Sequence, residues 1–401
     1  MMRILCLLGI SSCLLPCLVS AHTNLHEGMQ GTAQVGAAGS VSYFSEGSAG
    51  SDGYWRIAGN LMGGHALPVE KGFGLDDALI WGRYKISPEW QIHAKLATHN
   101  EGSHNYTANV DNFFLSRTHL WQQPLDAEFG LMDANFTPSA STHPSLSQFV
   151  ERPLITDAFW GGSVHDAGLR ITWKPLNQWT LGAELWSGDF FPATQSNGAY
   201  SLFAQTEKQW ANVTLKAGVW GLTAKAQDRA DDRYTAGHSH STSTTTLPDV
   251  RFTGDTDLAG VWLALDLPTW HGVQSHLQYE YAQSQANGEL VNLDQARKAT
   301  YASNHKGMSF VPSLRFGQHE LSYRYEQLSL NNTLQGAGAA LLAEDANLVN
   351  THTPKRQTLQ WKYQLNKQLA ARVAYTEDKV LADKSNRFNV GLVWQQRLYD
   401  R

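Results

Sequence analysis

Apolar and polar residues alternate one for one in many short stretches of this chain, and no long stretch carries the 3.6-residue period of an amphipathic helix. Trp90, Ile92, Ala94 and Leu96 alternate with Gln91, His93 and Lys95. Leu277, Tyr279 and Tyr281 alternate with Gln278 and Glu280, and Phe388, Val390, Leu392 and Trp394 with Asn389, Gly391 and Gln395. Successive side chains of a strand point to opposite faces, so each stretch predicts a strand with one apolar face. The stretches come in pairs across very short links, at 87–89, 122–124, 174–178, 207–209, 268–272, 317–318 and 365–368. These seven hairpins, a strand ahead of them at about 54–62 and one after them at 386–396 predict sixteen strands. Residues 33–43 offer a further strand, which would break the even count; otherwise 22–52 form a periplasmic segment.

Between hairpins the connections are long, polar and rich in Gly, Ser and Asn: 63–77, 99–110, 135–166, 188–198, 222–256, 283–306, 330–355 and 377–385. Short turns alternating with long loops are the layout of outer-membrane barrels, with the short turns periplasmic and the long loops external. Trp90, Trp121, Trp173, Trp179, Trp210, Trp270, Phe316 and Tyr363 all lie beside a short turn, which places amphipathic rings at one interfacial level. In lipid every backbone N–H and C=O must be paired within the protein, so strands can span only as a closed barrel. The second face of most stretches is polar and could not pack as a dry interior, which calls for a water-filled lumen. The expected class is therefore all-β: a transmembrane antiparallel β-barrel of about sixteen strands over residues 53–401.

The first 21 residues read as a signal peptide. Arg3 gives a positive start, an apolar run follows, and Val19-Ser20-Ala21 is a small-x-small cleavage pattern. Ile10-Ser11-Ser12-Cys13 also fits a lipobox loosely, with a very short apolar stretch before it. All 3 cysteines lie in this segment, so the mature chain has no disulfide, no thiolate metal site and no cysteine nucleophile. An exported chain of this kind points to a bacterial envelope. The mean hydropathy of −0.36 excludes a polytopic helical membrane protein. A formal net charge of −5 gives no basic surface for nucleic acid.

Over essentially the whole mature length the pattern resembles the sixteen-stranded porins of Gram-negative bacteria. Two features carry the resemblance: the long third loop after the fifth strand, and the segment 129–138, which looks like the strand-to-loop passage of phosphate-selective porins. The resemblance implies that the third loop folds into the barrel and sets its constriction, and that the protein is a homotrimer in outer-membrane lipid. Two departures stand against the phosphate-selective group. The inward positions Lys95, Arg170, Lys216, Arg324, Lys362 and Arg372 are offset by Asp126, Glu128, Glu184, Glu280 and Glu326, so no ladder of like charge lines the lumen. The chain also ends Leu398-Tyr399-Asp400-Arg401 rather than on an aromatic residue.

Candidate chemistry follows from this frame. Lys95, Arg170, Glu184, Arg324, Glu326, Lys362 and Arg372 are expected to line the pore. His143, Glu151, Arg152, Asp157 and Asp166 of the third loop are expected at the constriction, where charges facing each other across a narrow passage set selectivity. Nine of the 16 histidines fall in the proposed external loops, among them His65, His305 and His352. In the longest loop His238 and His240 follow Asp231 and Asp232, ligands that Zn²⁺ or Cu²⁺ would take in the absence of thiolates. That pattern points to loop-bound zinc at the channel mouth, like the zinc-regulated porins. No cofactor is otherwise implied. No nucleophile elbow, His-Glu-x-x-His or phosphate-binding loop is present, and Ser116 and His119, three positions apart, project to opposite faces of a strand. The expected function is passive diffusion of small hydrophilic solutes or metal ions, without catalysis. The rival readings are a non-conducting metal-binding receptor or adhesin, and a barrel hydrolase.

Overall fold

In the computed structural model, which describes residues 32–100, 105–234 and 247–400, the alternating stretches are strands and the strands close on themselves. They are β1 (Ala33–Phe44), β2 (Gly72–Lys85), β3 (Trp90–Asn100), β4 (Tyr106–Arg117), β5 (Leu125–Asp133), β6 (His165–Leu176), β7 (Trp179–Trp186) and β8 (Ala199–Trp210). The second half adds β9 (Val213–Arg229), β10 (Val250–Asp266), β11 (Val273–Asn292), β12 (Arg297–Phe316), β13 (His319–Gln335), β14 (Lys355–Gln364), β15 (Leu369–Lys379) and β16 (Ser385–Asp400). Each pairs antiparallel with its sequence neighbours and β16 pairs back onto β1, so the wall is a closed barrel with no edge to satisfy. The short links are turns where expected, except that the β8–β9 turn is Ala211-Asn212, just beyond 207–209.

Two expectations about elements fail. Residues 54–62 are not a strand; they belong to loop 1 (45–71), and Trp55, Ile57 and Met62 are buried inside the barrel. Their apolar run faces other loops rather than lipid. The first strand is instead β1, so the count of sixteen holds with one member exchanged. Its outward side chains are mostly small (Ala33, Val35, Ala37, Gly39, Val41), which leaves it a faint apolar signal. Residues 283–306 are not a long loop either: β11 and β12 run 20 residues each and turn within 293–296. Past the apolar band the outer face of those strands meets water, so polarity there marks exposure and not irregular backbone.

The outer wall is apolar. Leu96, Phe113, Phe129, Ile171, Leu185, Leu202, Val219, Val390 and Leu392 all stand exposed on it. At the turn end Trp121, Trp173, Trp179, Trp210, Trp270 and Phe316 are exposed, with Trp90 and Tyr363 partly so, as the girdle requires. At the loop end Tyr43, Phe73, Tyr106, Tyr200 and Phe388 form the opposite ring. Side chains one position away point inward, and there loops fold back to meet them. Loop 3 (134–164), carrying the short helix α1 (Leu154–Trp160), packs with loop 1 and with Phe190 and Ala193 of loop 4 (187–198). Loop 7 (336–354), carrying α2 (Ala339–Asp345), lays Leu342 and Leu348 against Phe252, Leu290 and Tyr301 on the inner face of the tall β10–β12 wall.

Candidate functional site

Every residue of α1 is buried. Gly307 of β12 makes this possible: a Cβ there would stand 2.4 Å from Ile155 Cγ2. At the other end of the helix Gly161 takes φ +62° and receives the backbone N–H of His65 at 2.7 Å, which docks loop 1 on loop 3. At its start the wall carboxylate of Glu326 accepts the first helical N–H, from Leu154, at 2.7 Å.

The rest of loop 3 is held around the lumen by polar wall residues. Glu280 accepts from Ser139 Oγ at 2.6 Å and from Thr137 Oγ1. Asp77 accepts from Ser145 N at 3.0 Å and Ser145 Oγ at 2.8 Å. Gln148 donates to Ser313 and Ser322, and its carbonyl accepts from Gln360 at 2.7 Å. Arg372 donates to Pro144 O at 3.0 Å and to Ser40 Oγ at 2.6 Å. Each anchor satisfies a backbone or hydroxyl group that burial would otherwise strand.

Glu151 is the centre of the arrangement. Arg387 grips it with both nitrogens of its fork, Nε at 2.9 Å from Oε1, and Arg356 Nη1 lies 3.4 Å from Oε2. Asp378 stands behind both guanidiniums, at 3.1 Å from Arg356 and 2.8 Å from Arg387. Arg324 donates to the Glu151 carbonyl at 2.8 Å and pairs with Glu326 at 3.0 Å. Arg152 next door donates to His65 O at 2.8 Å and stands 4.0 Å from Asp157. Burial would push the Glu151 carboxyl up, but Arg387, Arg356 and Arg324 outweigh it and hold it down at about 2. Burial wins at Asp157, which rises to about 6 against Arg152 and Arg356.

Two cavities meet at this segment. One of about 500 Å³ opens toward the turn end, bounded by Gln178, Gln205, Glu207, Lys216, Gln278 and the underside of loop 3. Another of about 130 Å³ lies on the loop-end side, beside Asp76, Glu70, Trp55 and Asp157. Pro144, Val150, Glu151 and Arg152 line both. Four guanidiniums (Arg152, Arg324, Arg356, Arg387) and four carboxylates (Glu151, Asp157, Glu326, Asp378) surround this narrowing.

The expected pore residues all project inward, but most do not face open water. Arg170 is closed between Glu184 at 2.7 Å and Glu128 at 2.5 Å, and Glu184 also accepts Asn135 N of loop 3. Lys95, through His143, and Glu326 and Arg372 hold loop 3 in the same way, whereas Arg324 borders the larger cavity and Lys362 a small one beside it. In the expected constriction set Glu151, Arg152 and Asp157 come together. Asp166 does not: it sits in β6 and binds the backbone of Gly188 and Asp189, shaping loop 4. His143 is buried against the wall, 3.0 Å from Lys95. Arg356, Asp378 and Arg387 were missed. Each lies on the inward parity of its strand, two positions from Thr358, Thr376 and Asn389, so extending the alternation past the apolar band would have found them.

Of the expected metal set only Asp231 and Asp232 fall within the described residues. His238 and His240 lie outside the described residues, and both carboxylate oxygens of Asp231 are bonded to Arg233. His305 is buried in β12 against Asn332, and His352 reaches Val380 O. Among the described residues one trio of ligand types converges, Asp111, Asp133 and His143, within 4.8 Å. The Lys95 ammonium already sits there, 2.7 Å from Asp111 and 2.6 Å from Asp133, in the place a cation would take. Ser116, read against His119, pairs instead with His93 at 3.0 Å inside the wall.

No family model matches the chain, and no curated protein does. Solved structures do match. The chain is similar to a loop L8 deletion mutant of OmpT, an outer membrane protein of Vibrio cholerae: 13% identity, 91% of this chain and 99% of that one, TM-score 0.54. It is similar to Pseudomonas putida OprB at 11% identity, over 91% of this chain and 94% of that one, with a TM-score of 0.54. The outer membrane channel DcaP of Acinetobacter baumannii matches at 13% identity over 91% and 96%, with a TM-score of 0.51. At these identities the likeness establishes the fold: a closed sixteen-stranded antiparallel barrel of the kind found in Gram-negative outer-membrane channels.

Proposed function

We propose that the protein is a diffusion channel of a Gram-negative outer membrane, delivered by the leader at 1–21, and that it passes small hydrophilic solutes through a narrowing at Glu151 and Arg152. The observation that carries this reading is the pair of cavities, one on each side of loop 3, that share Pro144, Val150, Glu151 and Arg152. A polar lumen inside an apolar outer wall is built to carry water across lipid. Lumen width and the balanced charges of the narrowing decide what passes, so the channel is a sieve with weak ion preference. One of the matched structures is OmpT of Vibrio cholerae in trimer form, which supports a homotrimer here.

The test is single-channel conductance of the folded protein in a planar bilayer. Discrete openings that come in threes are expected, with ion preference altered by Arg152→Gln. A protein that inserts and never conducts would overturn the channel and put the surface-receptor reading first. Zinc uptake through the loop histidines is the finer reading, and it rests on His238 and His240; added Zn²⁺ should then change the current only while those two are present.

A further inference from the structure

At the loop end, outside the narrowing, a cavity of about 290 Å³ lies between loop 1 and the rims of β9 and β10. Among the described residues its charged lining holds three carboxylates, Asp231, Asp232 and Asp249, and three guanidiniums, Arg56, Arg229 and Arg251. Asp231 is committed to Arg233 at 2.6 Å and Asp249 to Arg251 at 2.9 Å. Arg56 and Arg229, by contrast, have no carboxylate within 4.0 Å among the described residues. Arg229 is only 8% exposed. Its guanidinium lies between the rings of Phe191 and Phe252, at 4.5 and 4.8 Å, and donates to Pro192 O at 2.5 Å. Two aromatic faces and one carbonyl orient this cation without neutralising it. Leu61, Met62, Val250 and Leu290 supply an apolar floor to the same cavity.

We infer that this cavity binds a small organic anion: a carboxylate carried on a compact apolar body. The carboxylate would take the planar donors of Arg229 and Arg56, for which guanidinium geometry is matched. The body would lie on Leu61, Met62 and the edge of Phe252. The size suits a molecule near the lower limit of small-molecule pockets, about 300 Å³. The site is separate from the Glu151 narrowing, and its binding chemistry does not depend on conduction. Only its description as a capture point ahead of the pore rests on the channel reading.

The experiment is calorimetric titration of the full folded barrel in detergent with sodium benzoate, with benzamide (the same body without charge) and with inorganic phosphate. Benzoate should bind at least tenfold more tightly than benzamide, since a charge-assisted bond to arginine contributes about 1.5–3 kcal/mol. Arg229→Gln should weaken benzoate at least tenfold and Arg56→Gln at least threefold. Lys298→Gln removes an equal charge from the exposed outer rim, where Lys298 pairs with Glu289, and should change nothing. Because Arg229 is buried, its variant could fail to fold, and Arg56→Gln on loop 1 then decides. Equal affinity for benzoate and benzamide, tighter binding of phosphate than of benzoate, wild-type affinity in Arg56→Gln, or no binding of benzoate would each overturn the site. Since no current is measured, failure here leaves the channel reading standing, and a silent bilayer leaves this site standing.

Discussion

The two ends of the lumen are built from the same strands and filled in opposite ways. At the loop end, loops 1, 3, 4 and 7 return into the barrel and bury Trp55, Trp160, Phe190 and Leu342 against inward wall residues. At the turn end none of the described residues folds back, and a cavity of about 500 Å³ remains beneath loop 3. The outer wall does not register this difference, because it answers only to lipid. Whether an inward residue lines water or serves as an anchor is thus decided by connection length. Where the link is two to seven residues the lumen stays open; where it is twelve to about thirty, the loop takes the polar wall as its binding surface.

Substitutions can break or sharpen this contrast. The largest effect is expected at Lys95, whose replacement by Met leaves Asp111 and Asp133 buried without their ammonium. A loss of about 3–5 kcal/mol follows, read as a lower urea midpoint in lipid vesicles. Gly307→Leu pushes a side chain into α1 and should cost about 1–3 kcal/mol. It should also raise single-channel conductance as loop 3 lifts from the wall; unchanged conductance would mean that loop 3 does not limit the pore.

Charge at the narrowing gives a smaller, pH-dependent effect. Asp157 sits raised at about 6, so it is ionised at pH 7 and neutral at pH 5. Four carboxylates then become three against four guanidiniums, and the reversal potential in a salt gradient should move toward anion preference as pH falls through 6. Asp157→Asn should hold the low-pH value throughout, and a wild-type response in that variant would rule Asp157 out as the titrating group. The smallest effect is expected at the turn end. Glu89→Gln, which breaks an exposed pair with Arg117 at 3.3 Å, should shift stability by no more than about 0.5 kcal/mol.

Much of the wall was legible because lipid imposes period two and short turns are marked by Pro, Gly and Asn. The girdle at Trp121, Trp179 and Trp270 was legible for the same reason. The first strand was not: Ala37 and Gly39 carry little apolar signal, while Trp55 and Ile57 carry a strong one for a different purpose. Glu151 and Arg152 could be placed at a narrowing from loop length and resemblance. Their partners needed register. Lys95 meets Asp111 only because a bulge between Lys95 and Leu96 shifts β3 against β4, and no spacing in the sequence announces it. Asp166 misled because the end of loop 3 and the start of β6 look alike in composition.

The pairing of β16 with β1 sets the order in which the molecule can be completed. Gln34 faces Asp400 and Phe44 faces Asn389, so the opening strand waits, with one side unpaired, for the closing strand. The same late strand brings Arg387 to Glu151 and Gln395 to Ser145 O. A chain halted before residue 385 therefore has neither a sealed wall nor a fixed aperture. Sealing against lipid and gauging the passage become one event, so a half-assembled barrel is never left in the membrane as a finished, ungauged hole.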